Sequence, residues 1–141
     1  MACGVSPDTA DMHYRIITEP YLCEDIAWYN PILGTMSYSE AKDIYGDETT
    51  PAWSLSSLLG LLPREIETDD GSYSEKQKYT LLLYPYAKGW QIDYQYCEDD
   101  ECHSPMCAHD ESPIEACVKA IEWLTANGYK LNTPAATCKD E

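Results

Sequence analysis

The chain has 141 residues and a mass of 16.0 kDa, which predicts a single domain, 1–141, with a core large enough to fold without disulfides or metals. Hydrophobic residues make up 44%, an ordinary globular share that argues against wholesale disorder. Twenty-five Asp and Glu against nine Lys and Arg give a formal net charge of -16, so direct binding to duplex DNA or to an anionic membrane face, which both select Lys and Arg clusters, is not expected.

The first twelve residues, MACGVSPDTADM, carry neither a basic n-region nor an apolar h-region. Together with apolar runs far short of the roughly 20 residues that cross a bilayer, they predict a cytoplasmic protein, its N-terminal ten or so residues flexible. Met12 to Thr18 is a possible strand. Ser37 and Glu40 have the spacing of a capping box and open a weak helix through Ala41, Ile44 and Tyr45 to Gly46. After the polar linker Asp47 to Pro51, Leu55, Leu58, Leu59 and Leu62 recur on one face and predict a short buried helix over 54–62, which Pro63 ends. A short strand is possible at Glu65 to Glu67, followed by a turn at Asp69, Asp70 and Gly71.

The next two segments predict an antiparallel hairpin over about 78–97. Lys78 to Tyr86 is rich in Tyr, Thr and Leu, and Trp90 to Cys97 alternates, with Trp90, Ile92, Tyr94 and Tyr96 on one face and Gln91, Asp93 and Gln95 on the other. Ala87, Lys88 and Gly89 form the turn, with the glycine expected to supply a positive φ. Pro85 lacks a ladder donor and places its strand at an edge or a bulge. The final element is a helix over about 113–127: Ser112 is its N-cap, Pro113 its first residue, Glu115 its N3 acid, and Gly128 its stop. Ile114, Cys117, Val118, Ile121 and Leu124 form one apolar stripe that must pack on the sheet. The fold class is therefore α+β, a small antiparallel sheet with two helices on one face.

Chemistry concentrates in Cys97 to His109, CEDDECHSPMCAH. Its thiols and imidazoles are zinc-ligand types, and Cys97, Cys102, Cys107 and His109 are the candidate metal set, although the segment has no CxxC pair. The alternatives are an acidic loop with incidental thiols and a disulfide within the loop. No resident cofactor is otherwise implied. Glu98, Asp99, Asp100, Glu101, Asp110 and Glu111 belong to a stretch with no Lys or Arg between Lys88 and Lys119. These carboxylates, with Tyr84 and Tyr86, are the candidate partner-binding residues, because acidic side chains can occupy places that a basic groove reserves for phosphates. Tyr84 and Tyr86 have the opposite parity from Tyr79, Leu81 and Leu83, which predicts a surface position, whereas Trp90 and Tyr94 are expected in the core. Phosphate loops, nucleophile elbows, dinucleotide fingerprints and HExxH are absent, and a non-catalytic protein is expected.

TPAWSLSSLLGLLP (Thr50 to Pro63), the Tyr- and Trp-rich hairpin, and SPIEACVKAIEWLTANGYKLN (Ser112 to Asn132) together resemble a group of small proteins encoded by phages and mobile elements of gut bacteria. The resemblance covers about the C-terminal two thirds. It implies an αββα-like order of elements and a phage or mobile-element origin, and it brings no activity or catalytic residues. The acidic Cys and His insert departs from the group's pattern. The resulting expectation is an acidic binding protein that engages a host protein, with inhibition of a defence or nucleic-acid-processing factor by charge mimicry as one form. A zinc module at 97–109 and a self-associating structural protein are the alternatives.

Overall fold

The computed structural model describes residues 5–16, 31–68 and 76–133. The turn expected at Asp69 to Gly71 and the cysteines Cys3, Cys23 and Cys138 lie outside them. The fold is α+β, with three α-helices and two antiparallel sheets among the described residues. No helix there is long and apolar enough to cross a membrane. By its contacts the chain divides into two compact units, Val5–Ser57 and Leu58 onwards.

The first unit holds β1 (Met12–Ile16), β2 (Pro31–Gly34), α1 (Tyr38–Tyr45) and β3 (Thr49–Ala52), in the sheet order β2-β1-β3. A strand does form where the sequence suggested one, at Met12, and Val5 and Ala10 before it are buried. α1 starts at the expected cap: Ser37 Oγ accepts from Glu40 N at 3.4 Å and donates to Glu40 Oε2 at 3.0 Å. His13 is buried on β1, its Nδ1 2.9 Å from Met36 O, its ring stacked on Tyr45. A Cβ on Gly34 would lie 2.2 Å from His13 Cε1, so only glycine fits opposite that ring. Asp11 accepts from both the amide and the hydroxyl of Ser54. Burial raises the Asp11 carboxyl, but the Ser54 hydrogen bonds outweigh it and hold the group below its usual value.

The division between the units falls within α2 (Leu55–Leu61), which buries Leu58 and Leu61, with Leu62 buried just after it. The second unit continues with β4 (Glu65–Thr68), β5 (Gln77–Tyr86), β6 (Gly89–Glu98), β7 (Glu101–Asp110) and α3 (Pro113–Ala126), its sheet in the order β4-β5-β6-β7. The predicted hairpin pairs in register Leu83 with Ile92 and Tyr84 with Gln91. The greasy face carries Tyr79, Ile92, Tyr94, Met106 and Ala108, all buried, and α3 packs against β6 and β7. Tyr94 is fully buried and donates its hydroxyl to Pro63 O at 2.7 Å. Asn132 closes the unit by donating from Nδ2 to Gly60 O and Leu62 O.

Four local expectations need correction. The turn is the residue pair Ala87 and Lys88, and the positive φ falls on Ala87 at 51°. Gly89 serves close approach instead, since a Cβ there would sit 2.3 Å from Asp110 O. Trp90 stands at the strand end and is partly exposed. α3 buries Ala116 and Ala120 beside Cys117, Ile121 and Leu124, while Ile114 is exposed, because small residues bring the helix close to the sheet. Pro85 sits where β5 extends past the short β4, so its missing donor faces no strand.

Candidate functional site

The segment 97–109, read in sequence as a loop, is mostly strand. β7 pairs antiparallel with β6, a register shift opposite Tyr94 and Tyr96 absorbing one extra residue near Ser104 and Pro105. Met106 and Ala108 alternate into the core while Cys107 and His109 point to the other face. The signal was present as that two-residue alternation, but the acids, thiols and imidazoles around it masked the strand. They are tolerated because β7 is the sheet's edge.

The two strands meet at a tip formed by Glu98, Asp99, Asp100 and Glu101, all exposed. Cys97 and Cys102 face each other directly below, with Cα atoms 4.1 Å apart, and their sulfurs are joined in a disulfide. This corrects the zinc expectation, which needs both as thiolate ligands. No group of three or more His, Cys, Asp or Glu among the described residues is arranged to hold a metal. Asp99 and Asp100 both have positive φ, 48° and 65°, so the turn is of the tight hairpin kind that glycine and asparagine favour. Glu98 and Glu101 are register partners, placing like charges opposite each other. Tyr96 donates its hydroxyl to Glu98 Oε2 at 2.7 Å, and His103 Nε2 stands 3.9 Å from Glu101 Oε2.

Asp110 and Glu111 lie at the far end of β7, about 30 Å from the tip at the usual rise per residue. The structure therefore does not bring the acidic set together. Asp110 is a structural hinge to α3: its Oδ1 accepts from Ser112 N at 3.0 Å and its Oδ2 from Lys119 Nζ at 2.9 Å. Ser112 Oγ in turn accepts from Glu115 N at 3.4 Å, so Asp110 takes the return bond expected of Glu115. The Lys119 hydrogen bond holds the Asp110 carboxyl below its ordinary value. Glu111 is exposed.

Tyr84 and Tyr86 stand on the face opposite α3, as their parity predicted, but with different roles. Tyr86 is 57% exposed and meets His109 edge to face. Tyr84 donates its hydroxyl to Asp93 Oδ2 and accepts from Gln91 Nε2 at 2.7 Å. Gln91 Nε2 and Gln95 Nε2 each lie 3.0 Å from the same Asp93 oxygen. Asp93 is the residue that sequence reasoning missed: alternation assigned it to the wet face, yet it is only 2% exposed, roofed by its longer neighbours. Burial pushes its carboxyl up, but the hydrogen bonds from Tyr84, Gln91, Cys107 and Gln95 more than offset this and hold it low. The bond to Asp93 pushes the Tyr84 phenol up to about 12. Burial, with Asp93 beside it, pushes the Cys107 thiol up to about 11, and burial alone does the same to Cys117.

No family model, curated protein or solved structure matches the chain.

Proposed function

We propose that this is a non-catalytic acidic binding protein of phage or mobile-element origin that engages a basic surface on a host protein through the β6–β7 tip. The observation that carries the reading is the tip itself: four consecutive exposed carboxylates held on a closed two-strand frame by the Cys97–Cys102 disulfide. A fixed array of charges loses less freedom on binding than the same charges on a loop. The net charge of -16 adds long-range steering toward a cationic partner. The thiols that a catalytic reading would use as nucleophiles favour the protonated form at neutral pH, since both free cysteines among the described residues are pushed up to about 11.

In this reading the protein works in the bacterial host cytosol and occupies the groove of a defence or nucleic-acid-processing factor in place of phosphates. The cytosol keeps thiols reduced, so there the four carboxylates and the net charge carry the attraction, and the clasp adds preorganisation only while it is oxidised. The test is affinity capture of the tagged protein from a gut-bacterial host lysate at low and at moderate salt, read by mass spectrometry. One near-stoichiometric partner, depleted at the higher salt, is the expected result. Enrichment that ignores salt, or no enriched partner, overturns the reading.

A further inference from the structure

Asp93 has features that its part in the sheet does not use. It lies on the sheet face opposite α3, directly across from Leu82 on β5 and Cys107 on β7. It is buried, and none of the ion pairs among the described residues includes it. A buried carboxylate without a counter-charge depends wholly on hydrogen-bond donors to offset the cost of its burial. The compensation here is also one-sided. Tyr84, Gln91 and Gln95 all donate to Oδ2, and the Cys107 thiol stands beside the carboxylate, yet Oδ1 is buried and has no partner with hydrogen-bond geometry.

From this geometry we infer that Asp93 anchors a receptor for a basic side chain of a partner protein, best matched by the guanidinium of arginine, with Oδ1 as its first acceptor. Gln91 and Gln95 spend their Nε2 groups on the carboxylate, and their Oε1 atoms take part in no hydrogen bond among the described residues. An incoming cation thus finds one charged and two neutral acceptors on adjacent rows. Guanidinium carries five donors in a planar fork and meets several acceptors at once, where an ammonium is a point charge. The apolar stem of the ligand has a bed too: Leu82 is 40% exposed beside Asp93, and Tyr86 is exposed further along the same face of β5. Both amide Nε2 groups sit on Oδ2, Gln95 through a single bond, and in this proposal Gln95 swings aside as the guanidinium reaches Oδ1.

The site lies about 17 Å from the acidic tip along β6. It rests on the binding-protein reading only for the kind of molecule that carries the arginine, so the two can fail separately.

The experiment is an amide NMR titration of the isotope-labelled full chain with N-acetyl-arginine-N-methylamide, with the lysine analogue and potassium chloride as comparisons. The expected result is saturable shifts at Gln91, Asp93, Gln95 and Cys107, including both glutamine side-chain amides, and weaker binding of the lysine analogue. Asp93→Asn is expected to weaken arginine binding by about tenfold or more, as loss of a charged acceptor does, while a chain with Glu98, Asp99, Asp100 and Glu101 neutralised binds it unchanged. Should Asp93→Asn lose the fold, Gln95→Met, which keeps the length and removes Oε1, carries the test with an expected several-fold loss. Shifts confined to the tip, shifts reproduced by potassium chloride, or affinity indifferent to Asp93→Asn or to Gln95→Met would overturn the proposal. If the tip-neutralised chain loses its captured partner but keeps these shifts, the site stands and is separate from the tip.

Discussion

Reducing the Cys97–Cys102 disulfide is predicted to open the acidic tip while leaving the sheet intact. The bond closes a loop with a sequence separation of five, and the chain-entropy relation for so short a loop gives about 2 kcal/mol. Opposing it are two non-glycine residues in left-handed geometry, Asp99 and Asp100, at roughly 1 kcal/mol each. Glu98 and Glu101, paired like charges, cost a further few tenths to about 1 kcal/mol. The clasp and the local cost are therefore of similar size, so a reduced tip, left with the cost alone, favours the open form. Hydrogen exchange of the amides from Glu98 to His103, with and without dithiothreitol, reads this directly. Reduction should abolish protection there and leave Ile92 and Ala108 protected. Asp100→Gly should restore part of it, by about 0.5–1 kcal/mol, because glycine relieves the left-handed strain at some entropic cost. A reduced tip as protected as the oxidised one, or no gain from Asp100→Gly, would refute the reasoning.

Other expectations follow from the same structure. Gly89→Ala forces a Cβ onto the Asp110 carbonyl and should cost roughly 1–3 kcal/mol in urea unfolding, whereas Gly60→Ala, which has open space, should cost nothing or gain slightly. Ser112→Ala removes the cap of α3 and should cost about 1 kcal/mol by the same assay. The Asp93 carboxyl is held below the ordinary aspartate value, so its contribution to stability is present above that ordinary value and is lost as the pH falls through the lower folded value; Asp93→Asn should flatten the acid limb of a stability-against-pH curve. Cys107, though exposed, should alkylate slowly with iodoacetamide at neutral pH, its rate rising toward pH 11, and Asp93→Asn should speed it at fixed pH by removing the neighbouring charge.

The elements legible in the sequence were those whose patterns act locally. Ser112, Pro113 and Gly128 bracket α3 within a residue of its observed ends, and Ser37 with Glu40 marks the start of α1. The β5–β6 hairpin followed from strict alternation in Trp90 to Cys97. What failed depended on partners distant in sequence. β7 reads as a loop until β6 supplies its ladder, and Gly89 reads as a turn glycine until Asp110 lies against it. Asp93 has the parity of a solvated residue, and it is Tyr84 and Cys107 from the neighbouring strands, with the glutamines either side, that enclose it. The acidic candidates were divided for the same reason: chain proximity placed Asp110 with Glu101, and the length of β7 separates them.

The most direct measurement is the affinity of the captured partner for the wild-type chain and for the chain carrying Glu98→Gln, Asp99→Asn, Asp100→Asn and Glu101→Gln, at one fixed low salt concentration. Tip recognition predicts a loss of about tenfold or more for the neutralised chain, mostly in the association rate, with the fold unchanged by circular dichroism. Equal affinity for the two chains would contradict it.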